Sequence, residues 1–297
     1  MKATQQTVFI TGATAGIGRH LALHLARRGF HVIASGRRPD ALEKLASEAG
    51  DLHLDTLQLD VTDAGSIARA VLEVDRLTRG RGVDALVNNA GYGLIAPALE
   101  TTDDDLRRQF DTNVFGLMAV TRAFVPKMLV RRRGRVINVS SIGGRITLPF
   151  FGAYNASKYA VESLSDALRR ELRAFGIQVA LIEPGAIRSE FASTSMAFVD
   201  RYRNDSSPFA VVYERAGQLQ KAFERTEVGP ECVAEAVEHA IRARRARPRY
   251  VVPLSSRLMM WVAGWLPTRW IDALMARAVG LTPRALPAPS TTVSAAS

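Results

Sequence analysis

At 297 residues, 47% apolar and 23% charged, the chain has the composition of a globular protein, and its length suits a single α/β domain with a substantial core. The lone Cys232 excludes an intramolecular disulfide framework and a multi-cysteine zinc site and suits a reducing cytosol; no metal is expected. The formal net charge of +10 is mostly arginine, clustered at 131–135 and 242–249 without interleaved aromatics, which argues for a solvated surface and against nucleic acid.

In chain order, an apolar run at 7–11 predicts a first strand. Residues 1–6 are too short and polar to be a signal peptide ahead of it. The strand leads through Thr11-Gly12-Ala13-Thr14-Ala15-Gly16-Ile17-Gly18 into a helix over 17–28. Glycine at 12, 16 and 18 permits a tight turn, close backbone approach to a pyrophosphate and close helix–strand packing. The helix start then offers unpaired N–H groups to phosphates. A second strand at 31–35 ends in Ser35-Gly36-Arg37-Arg38. A carboxylate at this point would bond the ribose 2′-hydroxyl of NAD and repel the 2′-phosphate of NADP. Gly36 stands in its place, and Arg37 with Arg38 can clamp a phosphate, so NADP(H) is the expected cofactor.

Further on, helices are predicted over 39–49, 64–78, 103–130 and 154–175, and strands over 54–61, 83–88, 134–140, 177–183 and 250–253. Nearly all-apolar strands alternating with helices imply right-handed crossovers and a doubly wound parallel sheet of about seven strands, one Rossmann-type domain over 1–281. No run reaches the 18 to 20 consecutive apolar residues of a spanning helix. Tyr154 and Lys158 stand four residues apart on one helix face. A free phenol titrates near 10, too high for a base at neutrality, and the neighbouring cation is expected to lower it.

The GxxxGxG turn after the first strand, Asn88-Asn89-Ala90-Gly91 after the fourth, and Tyr154-Asn155-Ala156-Ser157-Lys158, with Ser141 thirteen residues earlier, resemble the short-chain dehydrogenase/reductase family over roughly 7–253. The resemblance implies hydride exchange between NADP(H) and a carbonyl or secondary alcohol. It assigns catalysis to Asn113, Ser141, Tyr154 and Lys158: Ser141 orients the substrate oxygen, Tyr154 exchanges its proton, Lys158 tunes the phenol and holds the ribose, and Asn113 supports a water beside Lys158. It implies cofactor contacts at Gly12, Thr14, Gly16, Ile17, Gly18, Arg37, Arg38, Asp60, Val61, Asn89, Ala90, Gly91, Tyr154, Lys158, Pro184, Gly185, Ile187 and Ser189. Two departures stand out: Ala15 is not the basic residue some NADP-preferring relatives carry, and Ser189 replaces a common threonine.

Residues 89–94, 141–150 and 182–185 resemble the hydroxysteroid and retinol dehydrogenase branch. That likeness implies a hydrophobic carbonyl or alcohol substrate touching Leu94, Ser141, Gly143, Phe150 and Tyr154. An aromatic-rich insertion over 188–227 is either a lid on such a substrate or a segment stapled to the core. All three tryptophans follow the last strand, among Arg257, Arg269 and Arg277. There a helix pair over 255–281 is expected to close the pocket or bury itself in a dimer; the other reading is peripheral membrane contact through 257–277. The expectation is thus a cytoplasmic homodimer, with peripheral membrane association as that other reading, paired through helices 103–130 and 154–175, with a disordered tail over 282–297. The competing readings are a 3-oxoacyl-thioester reductase of lipid metabolism and an NADPH-sensing regulator on the same fold.

Overall fold

Short, largely apolar runs make seven strands in the computed structural model, which describes residues 5–283. These are β1 (Thr7–Ile10), β2 (His31–Gly36), β3 (Leu54–Gln58), β4 (Ala85–Asn88), β5 (Gly134–Val139), β6 (Ile177–Pro184) and β7 (Arg249–Val252). They form one sheet in the order β3-β2-β1-β4-β5-β6-β7, every pairing parallel. The chain winds outward from β1 to β3, then returns to lay β4 on the other side of β1. Ile10 pairs with both Ala34 and Val87, so the carboxyl ends of β2, β1 and β4 lie level at that reversal, where open α/β sheets bind ligands.

Strand alternation divides the core. Val8 and Ile10 face a cluster closed by α1 (Gly16–Arg27) and, later in the chain, α9 (Glu231–Arg242). Phe9 faces the opposite cluster, where its ring stacks on Phe124 with centroids 4.5 Å apart. After α2 (Pro39–Ala49), that second side is built from α3 (Ala64–Leu77), α4 (Asp103–Phe110), α5 (Leu117–Arg131) and α6 (Gly152–Leu172). Asp63 caps α3 by accepting from Ser66 N at 2.7 Å, and Thr102 caps α4 by accepting from Asp105 N.

The predicted helix over 103–130 is not uniform: a π-helical stretch, Asp111–Gly116, joins α4 to α5 and carries Asn113. By length and composition, Asp103–Arg131 would also cross a membrane, but half of its apolar window is buried and α5 packs on β4 and β5. Three further differences have local causes. β3, an edge strand, ends at Gln58 and not at 61. α9 was not among the predicted helices, because its buried face, Val233, Ala234, Val237, Ala240 and Ile241, is all alanine or valine but for one isoleucine. The insertion folds as α7 (Phe191–Tyr202) and α8 (Ala210–Glu224). Beyond β7 come α10 (Leu254–Ala263) and α11 (Thr268–Val279); the tail expected over 282–297 lies, from 284 on, outside the described residues.

Candidate active site

The glycine turn is locked to the end of β4 by two side chains, Thr11, which had no assigned role, and Asn89, which was expected to touch the cofactor. Thr11 Oγ1 accepts from the Asn89 and Ala90 amides at 3.0 Å each, and Asn89 Nδ2 donates to the Thr11 and Gly12 carbonyls at 3.0 and 2.9 Å. Gly12 has φ +65°, and a Cβ there would lie 2.7 Å from Ala90 Cα. A Cβ on Gly18 would overlap the Gly12 carbonyl. Gly16, at φ +50°, faces Ser189 and Glu190, so the segment after β6 crosses the turn. The α1 N-cap is Ala15, with no side-chain cap, which leaves the first helical amides to the cleft. Ile17 packs into the core behind.

Gly36 abuts Thr14 so closely that a Cβ would overlap the threonine methyl; position 36 cannot hold a carboxylate without displacing it. Arg37 and Arg38 are exposed next to it. Partial burial opposes ionisation of Asp60, but hydrogen bonds from Thr62 N and Oγ1, together with the Arg37 charge, hold its carboxyl below the ordinary value. Val61 packs on Gly116 of the π-helical stretch. Gly185 backs onto Ser256 of α10, and Ile187 bridges to Val228. The glycine cradle, the uncapped helix start and the arginine beside Gly36 fit a nicotinamide dinucleotide.

On α6, Tyr154 and Lys158 are 8% and 6% exposed. Lys158 Nζ donates to the Val139 carbonyl at 2.9 Å and stands 5.8 Å from the centre of the Tyr154 ring. Ser141 Oγ accepts from Gly143 N at 2.9 Å, faces the Pro184 carbonyl at 3.4 Å, and hydrogen-bonds the Tyr154 phenol in a way that favours its ionised form. Ser140 is turned the other way, toward Glu162 and Gly144. Burial nevertheless pushes Tyr154 up to about 12, and it pushes Lys158 down to about 8 against the pull of Glu162. The expected lowering of the phenol by Lys158 is therefore corrected: desolvation of the enclosed pair outweighs the cation. Such a phenol is a poor base at neutrality but a fully loaded proton donor.

Asn113 holds the floor of the site together. Its Oδ1 accepts from Tyr92 N at 3.1 Å, and its Nδ2 donates to the Tyr92 carbonyl and Ser157 Oγ at 3.0 Å each. Both N–H groups are engaged, so support for a water falls to oxygen atoms of this residue. Gly91 lies between Asn113 and Lys158: a Cβ on it would be 3.0 Å from Asn113 Oδ1 and 3.7 Å from Lys158 Nζ. Asn155 bridges the loop before α6, donating to the Gly143 carbonyl at 2.8 Å and accepting from Leu148 N at 3.0 Å. Asn155 stood inside the YxxxK motif, unassigned.

Helices α7 and α8 lay aromatic rings over this group. Phe191 meets Tyr154 at 5.3 Å between centroids, Phe198 stacks on Tyr92 at 5.7 Å, and Phe209 meets Phe150 edge-on at 5.7 Å. Leu94 is buried beside Gly93, where a Cβ would overlap Phe191. The same helices are tied down. Asp105 accepts from Tyr202 at 2.5 Å and Arg108 at 2.6 Å and pairs with Arg201, while Glu100 accepts from Tyr213 at 2.8 Å and from Ser207. The insertion thus packs against Tyr154 and is stapled to α4 and the loop before it. Of the C-terminal pair, α10 buries Ser256 and Met260, no residue of α11 is buried, and Trp261, Trp265 and Trp270 are 64%, 77% and 69% exposed.

A mononucleotide-binding sheet with a Ser–Tyr–Lys group at its carboxyl edge defines a nicotinamide-dependent oxidoreductase frame. Residues 6–199 match the family model described as short chain dehydrogenase, and the chain belongs to that family, in its retinol and hydroxysteroid dehydrogenase-like branch. Human retinol dehydrogenase 16 is 38% identical over 281 residues, covering 90% of this chain and 87% of its own. The uncharacterized oxidoreductase YbbO of Escherichia coli K12 is 37% identical over 274 residues, covering 92% and 95%. Rat 17-beta-hydroxysteroid dehydrogenase type 6 is 34% identical over 280 residues, covering 91% and 87%. Among solved structures, a closed serine dehydrogenase complexed with NADP+ aligns with TM-score 0.73 and 31% identity over 84% of this chain and 96% of that one. A Burkholderia phymatum family member in complex with NAD aligns with TM-score 0.74 and 26% identity over 86% and 92%. The chain is a short-chain dehydrogenase oxidoreductase, and its relatives use a nicotinamide cofactor.

Proposed function

We propose that the chain is an NADP(H)-dependent oxidoreductase that interconverts a secondary alcohol and a ketone or aldehyde on a hydrophobic substrate of steroid, retinoid or long-chain type. The observation that carries this reading is the apolar enclosure of the proton donor: Phe191 lies against Tyr154, with Phe150, Phe209 and Leu94 in the same cover. A sugar would leave its hydroxyls unpaired against such rings. The similarity to a retinol dehydrogenase and a 17-beta-hydroxysteroid dehydrogenase supports the same substrate chemistry.

The cofactor, when bound, supplies the hydride. Gly12, Thr14, Gly16, Ile17, Gly18, Asp60, Val61, Asn89, Ala90, Gly91, Pro184, Gly185, Ile187 and Ser189 would hold it, with Arg37 and Arg38 toward a 2′-phosphate. Ser141 hydrogen-bonds the substrate oxygen and Tyr154 gives it a proton. Lys158 offsets the negative charge left on the phenol. Asn113 fixes the loop at Tyr92 against α6. Gly143, Leu94 and Phe150 border the substrate, under a lid made by α7 and α8.

In this reading the protein works as a cytoplasmic homodimer, in keeping with the lone Cys232 and with the exposed Phe115 and Tyr159 next to α5 and on α6. The exposed tryptophans among Arg257, Arg269 and Arg277 support peripheral contact with an anionic membrane surface, from which an apolar substrate would enter.

The test is initial-rate consumption of NADPH, with NADH in parallel, against steroid ketones, retinal, long-chain ketones, oxoacyl thioesters and sugars. The expected result is turnover of an apolar ketone or aldehyde with NADPH, and a rise of roughly 10- to 100-fold in the NADPH KM for Arg37→Gln, as for loss of one charge-assisted hydrogen bond. Preference for the thioesters, or for NADH, would contradict the reading.

A further inference from the structure

The face of α6 that carries Tyr154 and Lys158 carries a third ionisable side chain that the reaction as described leaves unused. Glu162 follows Lys158 by one turn, as Lys158 follows Tyr154, and it too is buried, 7% exposed. Charged groups from three other elements face it. Arg249 of β7 donates from Nε to Glu162 Oε2 at 3.2 Å, and also reaches Glu183 Oε1 of β6 and Asp166 Oδ1 of α6, each at 3.1 Å. Arg145, in the loop after β5, contacts Glu183 Oε2 at 3.2 Å. Gly144 makes room for this assembly: a Cβ there would stand 2.9 Å from both Glu162 Cγ and Ser140 Oγ and 3.0 Å from the Lys158 carbonyl. Tyr154 and Glu162 are the titratable groups next to Lys158 on its own helix.

We propose that Glu162 is a positioning residue for the reaction: its buried carboxylate, anchored by Arg249, keeps the Lys158 ammonium charged while that group bonds Val139 and faces Tyr154. The reason is electrostatic. Lys158 has left water for an apolar site, and a carboxylate one turn away at low dielectric is the group that opposes loss of its proton. Arg249 serves Glu162 in the same way, because burial pushes the Glu162 carboxyl up and the guanidinium pulls it back. The arrangement is a relay of charge, Arg249 to Glu162 to Lys158, with Tyr154 at its end. The consequence for the proposed reductive reaction rests on the reading of Tyr154 as its proton donor; the titration of Lys158 does not.

The test uses the full chain labelled with 13C at lysine Cε. The sequence has five lysines, so Lys158 can be assigned by Lys158→Arg. In Glu162→Gln the Lys158 midpoint is expected to fall from about 8 by about one unit, a tenfold loss of ammonium above it, and Glu162→Asp should recover most of the shift. The alkaline limb of reductive kcat/KM should move down by the same amount. In the wild-type chain, the Lys158 signal should show a second inflection where the Glu162 carboxyl titrates, since coupled groups share their steps. A Glu162→Gln midpoint within 0.3 units of wild type, or a single wild-type inflection, would overturn the proposal and leave Glu162 a packing residue. A Lys158 shift with no matching movement of the rate profile would instead fault the assigned role of Tyr154.

Discussion

Burial acts on Tyr154 and Lys158 in opposite senses, and the two shifts together describe the resting site. The phenol, at about 12, keeps its proton throughout the neutral range, while the ammonium, at about 8, is held less firmly than in water. Lys158 therefore carries a stability penalty. With a folded value near 8 and an ordinary one of 10.5, the unfolded chain binds more protons between those limits, so stability rises with pH across that window. Lys158→Met should abolish turnover yet raise stability at pH 7, by up to about 3 kcal/mol, and flatten the rise between pH 8 and 10.5. Denaturant titrations at several pH values check this; an unchanged or lowered stability at pH 7 would show that the bond to Val139 outweighs desolvation.

At the scale of elements, α7 is held by one buried carboxylate. Asp105 binds Arg108, Arg201 and Tyr202 together, so Asp105→Ala removes the acceptor shared by three donors, leaving Tyr202 to donate only over its long contact to Thr102, and frees the cover over Tyr154. Cleavage by trypsin near Arg201 and Arg203 should accelerate several-fold, with KM for an apolar substrate rising roughly tenfold and the fold retained; unchanged cleavage would mean that the aromatic pairs alone hold the helix. The elements nearest the site were also the most readable from sequence. Glycines at 12, 16 and 18 and the Tyr154–Lys158 spacing are local signals, and the structure brings their residues together as expected. Asn113 was assigned, but its π-helical setting was not, because an i to i+5 hydrogen bond leaves no trace in apolar periodicity. Thr11 acts through main-chain partners far along the chain, Asn155 through the main chain of the irregular loop before α6, and Glu162 meets Arg249 only because β7 lies beside β6. The direction of the Tyr154 shift depends on how tightly α7 covers the ring, which no spacing reveals.

The molecule as a whole pairs a closed, internally bonded cleft with an open apolar flank. Trp261 on α10, Trp265 in the turn after it and Trp270 on α11 are the only tryptophans in the sequence and all are exposed, so tryptophan emission reads this flank and nothing else. Vesicles containing anionic phospholipid should shift the emission to the blue, reversibly with salt, and the combined Arg257→Gln, Arg269→Gln and Arg277→Gln variant should weaken the response at least tenfold. No shift with anionic vesicles would contradict membrane contact through this flank. What joins flank to cleft is Gly185, packed on Ser256 at the start of α10, so the exposed C-terminal helices begin against the segment that borders the site. The central claim is proton donation by Tyr154 to an apolar carbonyl, and the most direct measurement of it is NADPH-dependent reduction of such a ketone by Tyr154→Phe beside the parent chain, with NADPH affinity determined for both. Retained NADPH affinity with turnover lowered by about 10² to 10⁴-fold is the predicted result; a phenylalanine variant that reduces the ketone at the parental rate would contradict it.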